Sequence, residues 1–316
     1  MRLLFFGSGA FGLPTLHSLC EQHEVVEVVS QPDKPAGRKR VLTPTPIAQW
    51  ALKQGYAVPR VENVNTPEFV EQIKGYQADA SVVIAFGQKL GPELIGAMGE
   101  LAINLHASLL PKYRGAAPIN WAMIDNEPVT GNSVIALAQR MDAGVVYATS
   151  QTPIDPNETA GELHDRLSEM GPEVIGKVLQ QLASDALELV DQDESRATKA
   201  RKFTKADGTV SFDQSAELVR ARVHGLTPWP GCRVRWVKAD GEDKGLLTLK
   251  RVREQMDKQS AANFGTVGVD LCIACESGVL QLLEVQAPGG KAMSADDFAR
   301  GQGLAEGDVL EPLGAN

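Results

Sequence analysis

The first half of the chain alternates short apolar stretches with longer helical stretches, and this alternation limits the possible folds more than any other feature. The apolar runs predict strands at residues 3–6, 25–30, 80–85 and 101–105, and the stretches between them predict helices at 11–22 and 47–54. Strands that alternate with helices favour a mostly parallel sheet covered on both faces. The sequence therefore predicts a Rossmann-like α/β fold for this half.

The second half of the chain has a different character. Residues 159–183 predict a long helix that closes the first domain, and residues 191–209 are polar and charged. After a helix at 215–224, short strand candidates separated by turns fit a C-terminal OB-like β-barrel; they lie at 232–237, 246–252, 265–269 and 279–285. A chain of 316 residues is long enough for two cores. We predict a catalytic domain at 1–188, a linker at 189–206 and a barrel domain at 207–316.

Charge is distributed unevenly along the chain. The whole sequence carries a net charge of −9, whereas residues 196–258 contain 15 basic and 8 acidic residues, a net charge of +7. A positive segment on an acidic protein is consistent with contact to a polyanion, although it is equally consistent with ordinary solvated surface charge.

No apolar run reaches the roughly 18 to 20 residues that span a bilayer, and the N-terminal residues run directly into a turn. The four cysteines are expected to be reduced, and Cys272 and Cys275 are read as strand residues because no second ligand pair lies nearby. These observations predict a cytoplasmic protein that needs neither a membrane nor a metal ion.

Two glycine- and proline-rich segments follow the first two strands. Gly7, Gly9 and Gly12 match a dinucleotide-binding pattern only in part, and we read them as a tight strand-to-helix turn. Residues 31–46 contain several prolines and a cluster of basic side chains, so we predict an irregular, functional loop there.

Two polar side chains leave the last predicted strand of the sheet together. Asn104 and His106 are two residues apart and therefore share one face of a strand. An amide donor beside a titratable base suits a reaction in which an oxygen gains negative charge while a proton moves. Each residue alone is also consistent with a purely structural role.

Asp142 is the best candidate for a third member of this group. It follows a strand-like run at 133–137 and precedes a glycine, so it can reach the same sheet edge. A carboxylate beside histidine holds the imidazole in one tautomer and favours its protonated form. Asp142 could alternatively cap a turn. Together the three residues predict a catalytic site.

The residues from Asn104 to Pro111, continuing through Tyr113-Arg114-Gly115 to Ile119, resemble the signature of formyltransferases that use 10-formyltetrahydrofolate. Further matches are the stretches at 31–38 and 83–87 and the late Pro228-Trp229-Pro230. The similarity covers nearly the whole chain. Within that superfamily, the chain looks most like the branch that acts on methionyl initiator tRNA.

The resemblance implies specific roles for residues of this chain. Asn104, His106 and Asp142 match the catalytic trio, and the folate contacts would be Ser108, Leu109, Leu110, Pro111, Phe86 and Gly87. Arg38 would meet the acceptor end of the tRNA. Its neighbours and the basic residues of the linker complete the candidate tRNA contacts, namely Lys39, Arg40, Lys199, Arg201, Lys202 and Lys205. We expect a monomer.

Two other functions stay open on the sequence alone. A formyltransferase acting on a small amine, such as glycinamide ribonucleotide or an amino-sugar nucleotide, would carry the same trio, although the purine enzyme normally lacks a second domain. A nucleic-acid-binding protein without catalytic activity could share the scaffold.

Overall fold

The computed structural model describes residues 1–37 and 39–314. Its strands up to residue 200 are β1 (Arg2–Gly7), β2 (Glu24–Val29), β3 (Lys34–Ala36), β4 (Val41–Thr43), β5 (Ala80–Ile84), β6 (Leu101–His106), β7 (Arg114–Gly115), β8 (Val129–Ala136), β9 (Val146–Pro153) and β10 (Lys199–Ala200). The helices of the same region are α1 (Leu13–Gln22), α2 (Pro46–Lys53), α3 (Pro67–Gly75), α4 (Pro92–Ala97), α5 (Pro118–Ile124), α6 (Ala160–Glu169) and α7 (Gly171–Ala183).

The chain forms two compact units. The first contains Met1–Gly115, Gly131–Thr152 and His164–Lys199, and the second contains Ala116–Thr130, Pro153–Leu163 and Ala200–Asn316. The two early segments of the second unit were not anticipated from the sequence. The boundaries predicted from the sequence stay a prediction.

The first unit is built on a six-stranded sheet with the order β2-β1-β5-β6-β8-β9. The first four strands in this order are parallel, and β8 runs antiparallel to β6. The side chains of β1 from Leu3 to Phe6 are completely buried, as expected for a parallel strand with both faces covered. The predicted Rossmann-like sheet is confirmed. It brings the carboxyl ends of β1, β5 and β6 to one edge, where open α/β sheets bind ligands.

Prolines set the start of several helices. Helices α2, α3, α4 and α5 each begin with proline, whose missing N–H needs no partner in the first turn. Thr45 and Thr66 cap α2 and α3 with side-chain oxygens that accept the N–H groups of Ala48 and Phe69. The X-Pro pairs thus mark these helix starts in the sequence.

Two predictions about elements before residue 200 are wrong. The loop predicted at 31–46 contains a β-hairpin, in which Lys34 pairs with Thr43 and Pro35 with Leu42. Proline is tolerated there because the ribbon has only two strands, so its missing N–H breaks no inner ladder. The single helix predicted at 159–183 is two helices, α6 and α7.

The break between α6 and α7 lies at Met170, just before Gly171 and Pro172. Pro172 has no N–H to continue the hydrogen-bond ladder of α6. A Cβ atom on Gly171 would lie 2.5 Å from Thr15 Oγ1, so the close packing of this turn on α1 requires glycine. Both features favour a break between α6 and α7 at this position.

The second unit contains a curled antiparallel sheet with the order β13-β14-β12-β11-β16. Its strands and helices beyond residue 200 are β11 (Cys232–Val237), β12 (Asp243–Gln255), β13 (Cys272–Ala274), β14 (Val279–Gln286), β15 (Met293–Ser294), β16 (Val309–Pro312), α8 (Ala216–Gly225) and α9 (Ala295–Gln302). Thr266 bridges to Val309 in β16 and Val267 to Ile273 in β13, so one segment links both edges of the sheet. The prediction of an OB-like barrel is confirmed.

Candidate active site

The candidate site lies at the carboxyl end of β6. Asn104 is half-buried and pairs with Val83 of β5 on one side and Ile135 of β8 on the other. His106 is only 6% exposed and pairs with Ser133 of β8. Both residues point to the same face because they are two positions apart in a strand, as predicted.

Backbone contact fixes the ring of His106. Its Nε2 lies 2.9 Å from the carbonyl oxygen of Tyr113. A carbonyl can only accept, so Nε2 carries a hydrogen and donates it. The second nitrogen, Nδ1, is therefore the one that can gain or lose a proton.

Asp142 lies beside this second nitrogen. Its Oδ2 is 3.6 Å from His106 Nδ1, and it accepts a hydrogen bond of 2.8 Å from the N–H of Gly115. The 3.6 Å separation is an ion-pair distance rather than a hydrogen bond. Asp142 has a left-handed backbone with φ of 53°, so its turn needs support from elsewhere.

The side-chain amide of Asn104 has no hydrogen-bond partner in the described part of the chain. A half-buried amide without a protein partner can donate to a bound ligand. The structure thus brings together the carboxylate and imidazole that the sequence analysis proposed, and it leaves the amide on the same strand available.

The residues proposed to contact folate follow β5 and β6, which are neighbouring strands. After β5, Phe86 is buried while Gly87 exposes its backbone at φ of 83°. After β6, Leu109, Leu110 and Pro111 are all half-buried and form an apolar stretch of the loop. Both segments therefore lie at the sheet edge that carries His106.

Ser108 differs from its neighbours because it is completely buried. Its hydroxyl donates to the carbonyl of Lys112 at 2.7 Å, and Ser133 Oγ donates to the carbonyl of Ser108 at 2.7 Å. The N–H of Leu110 in turn donates to Ser133 Oγ. The Ser108 hydroxyl therefore shapes the loop, and Ser133 is a supporting residue that the sequence analysis missed.

The candidate tRNA contacts fall into two groups. Lys39 and Arg40 are exposed in the turn between β3 and β4, and Arg38 lies outside the described residues. Lys199, Lys202 and Lys205 are exposed and have no acidic partner among the residues that the structure describes.

Arg201 is held differently from these lysines. Its guanidinium pairs with Asp207 and lies 5.4 Å from the ring centroid of Trp121 and 5.6 Å from that of Phe203. The hydrogen bond with Asp207 raises the pKa of Arg201, and the same contact lowers the pKa of Asp207 well below its usual range. Arg201 is thus already satisfied within the second unit.

No trio of His, Cys, Asp or Glu groups closely enough for a metal ion within residues 1–37 and 39–314. The prediction that the reaction needs no metal stays a prediction. All four cysteines are free, and burial raises the pKa of Cys275 to about 12, so this thiol is unreactive. Among the described helices, none is both long enough and apolar enough to cross a bilayer.

Family models match both halves of the chain. Residues 1–179 match the family described as formyl transferase, and residues 202–303 match the family described as formyl transferase, C-terminal domain. A methionyl-tRNA formyltransferase of Sorangium cellulosum (strain So ce56) is 38% identical over 314 residues, which cover 98% of this chain and 99% of that protein. One of Geobacter sulfurreducens is 36% identical over 316 residues, covering 100% of this chain and 98% of the relative.

Solved structures share the fold at low sequence identity. An N-formyltransferase from Helicobacter canadensis, in complex with folinic acid and dTDP-3-aminofucose, has a TM-score of 0.66 at 12% identity and covers 89% of this chain and 98% of its own. HypX from Aquifex aeolicus, in complex with tetrahydrofolic acid, has a TM-score of 0.61 at 15% identity and covers 95% of this chain and 47% of its own.

Proposed function

This chain belongs to the formyl transferase family, and from that premise we propose that it transfers the formyl group of 10-formyltetrahydrofolate to the α-amino group of methionyl initiator tRNA. Full-length relatives that carry the name methionyl-tRNA formyltransferase support this choice of substrate. Because the proposed substrate is an initiator tRNA, we retain the prediction of a cytoplasmic location.

The observation that carries the proposal is the environment of His106. Its Nε2 donates to a backbone carbonyl, while Nδ1 lies 3.6 Å from the carboxylate of Asp142. An ammonium group has no lone pair and cannot attack a carbonyl carbon. We assign the removal of its proton to the pair formed by His106 and Asp142, acting through Nδ1.

Asn104 has a separate role in the proposal. Its amide, which has no partner within residues 1–37 and 39–314, can donate to the formyl oxygen as that oxygen gains negative charge, and protonated His106 can assist. A donor of this kind contributes on the order of 3 kcal/mol to lowering the barrier in comparable sites.

The residues at the sheet edge fit a folate. When bound, the folate supplies the formyl group. A flat ring with polar edges needs apolar contact and backbone hydrogen bonds, and the half-exposed side chains from Leu109 to Pro111 and the exposed backbone of Gly87 offer both. Phe86 is buried against Phe6 with ring centroids 5.5 Å apart, so it supports the backbone that Gly87 exposes. Ser108 acts in the proposal through the shape of its loop.

Phosphate contacts from exposed cations would position the tRNA. We assign this role to Lys39, Arg40, Lys199, Lys202 and Lys205, and keep Arg38 in the group on the basis of the family resemblance. We assign Arg201 a structural role because Asp207 and two aromatic rings already hold it.

The test is an assay of formyl transfer to two acceptors. The protein is mixed with 10-formyltetrahydrofolate and either methionyl initiator tRNA or a dTDP-linked amino sugar. We expect formylmethionyl-tRNA and no formylated sugar. Formylation of the sugar alone would overturn the substrate, and no transfer to either acceptor would overturn the activity.

A further inference from the structure

Gln192 lies in the segment after α7 and contacts the turn that carries Asp142. Its Nε2 donates to the carbonyl of Asp142 at 2.8 Å and to the carbonyl of Gly144 at 2.7 Å. One amide group therefore holds the backbone immediately at and after the catalytic carboxylate. The trio predicted from the sequence does not include this residue.

The other end of the Gln192 amide fixes its orientation. Arg114 is only 9% exposed, and its Nε and Nη2 donate to Gln192 Oε1 at 3.0 and 2.6 Å. A guanidinium can only donate, so the amide oxygen must face Arg114 and the amide NH₂ must face the two carbonyls. Both hydrogens of Nε2 are thereby aimed at the turn.

Glu194 holds Arg114 in place. Its carboxylate accepts from Arg114 Nη1 at 3.1 Å and Nη2 at 2.9 Å, and it also pairs with Arg140 at 2.8 Å. Hydrogen bonds from these two arginines lower the pKa of Glu194 to about 2. Glu194 therefore stays ionised at neutral pH, where it holds the arginine that orients Gln192.

The turn at 142–144 needs such support. Asp142 adopts a left-handed backbone, and a Cβ atom on Gly144 would lie 1.9 Å from the carbonyl oxygen of Ala136. Among the described residues, the carboxylate accepts one backbone hydrogen bond, from the N–H of Gly115. A small rotation of the turn would change the 3.6 Å separation between Asp142 and His106.

We propose that Gln192 is a positioning residue, which holds the Asp142 turn so that the carboxylate faces His106 Nδ1. This inference rests on the proposed function. The catalytic step stays with Asp142 and His106, and Gln192 acts only through the backbone of the turn.

Two substitutions distinguish the oxygen of the Gln192 amide from its NH₂ group. Gln192→Met removes every side-chain hydrogen bond of this residue. Gln192→Glu keeps an acceptor for Arg114 and removes the two N–H donors to the turn. We expect both variants to lower kcat by about 10- to 100-fold, because displacing a reacting group by a fraction of an ångström has effects of this size. The KM values for folate and tRNA should stay within about twofold of wild type.

The Glu variant decides the question even if the Met variant is unstable. A Gln192→Glu protein that melts like wild type and keeps the wild-type kcat would overturn the inference, because the donors to the turn would then be dispensable. A loss confined to KM would overturn it as well.

A second readout tests whether the effect passes through Asp142. We expect Gln192→Glu to change kcat by less than about twofold when it is added to Asp142→Asn, because residues that act as one unit are not additive. If the loss of kcat in the double variant equalled the product of the losses in the two single variants, the inference would be overturned. Failure of the wild-type protein to formylate methionyl-tRNA would instead overturn the proposed function.

Discussion

Two histidines, one in each unit, are buried and bonded to a backbone carbonyl, but they differ in what faces the second ring nitrogen. His106 donates to Tyr113 and presents Nδ1 to Asp142. His224 is completely buried; its Nδ1 donates to the carbonyl of Pro156, and its Nε2 accepts the N–H of Val252.

The comparison indicates that the partners of the ring, rather than its burial, distinguish the proposed catalytic histidine from a structural one. Both nitrogens of His224 are used by backbone groups, which requires the neutral ring. Burial, with Arg220 nearby, lowers its pKa from 6.5 to about 4. His106 has a carboxylate near the nitrogen that corresponds to the one His224 commits to a backbone N–H, so within the described residues no backbone group occupies Nδ1 of His106.

Replacing each histidine by glutamine gives the largest expected difference. His106→Gln should lower kcat by roughly 1,000-fold, the scale of a lost general base. His224→Gln is the matched control and should keep kcat within about threefold, since glutamine can also donate and accept. Steady-state formylation assays at neutral pH measure both. Equal losses would mean that His224 is catalytic or that His106 is structural.

Stability against pH gives the next largest difference. His224 binds a proton in the unfolded chain below pH 6.5 but in the folded protein only near pH 4. Its contribution to stability is therefore complete above pH 6.5 and is lost as the pH falls towards 4, by at most about 3 kcal/mol. Urea unfolding of wild type and His224→Gln at pH 7 and pH 5 should show a smaller loss in the variant. If wild type and His224→Gln lost the same stability between pH 7 and pH 5, the His224 ring would not be neutral in the folded protein.

The smallest difference concerns two neighbouring cations. Arg201 pairs with Asp207, whereas Lys202 has no acidic partner in the part of the chain that the structure describes. Lys202→Ala should weaken tRNA binding about fivefold at roughly 0.15 M salt and reduce the salt slope by just under one. Arg201→Ala should leave the slope unchanged and lower Tm. Filter binding across a salt series, with thermal melting, measures both. If Arg201→Ala reduced the salt slope and Lys202→Ala did not, Arg201 would contact the tRNA and Lys202 would be dispensable for binding.

Regular elements were predictable where local chemistry agreed with the fold. The buried strands of the first sheet follow from apolar runs, as expected where both faces of a strand are covered. Strand β11 follows from its alternation of apolar and basic residues. The β3–β4 hairpin was missed because prolines argued against it, and proline is harmless in a two-stranded ribbon. The break before α7 was missed although Pro172 marks it locally, whereas the close packing of Gly171 against Thr15 is visible only in the structure.

Some residues of the candidate site could be predicted from the sequence and others could not. Asn104 and His106 share one strand, so their common face follows from a spacing of two. Gln192 and Ser133 lie far from them in sequence, and the contacts by which they shape the site are to backbone carbonyls and N–H groups of other segments. Backbone groups are identical at every position, so a contact to them leaves no trace in residue type.

By itself, the sequence determined the alternation of strands and helices, the barrel and the residue types that meet at the end of β6, because periodicity and side-chain chemistry are local properties. Only the tertiary structure decided which nitrogen of His106 is free, which cations are already paired and how the Asp142 turn is held. These depend on distances between atoms that the chain brings together from distant positions, and local chemistry does not encode such distances.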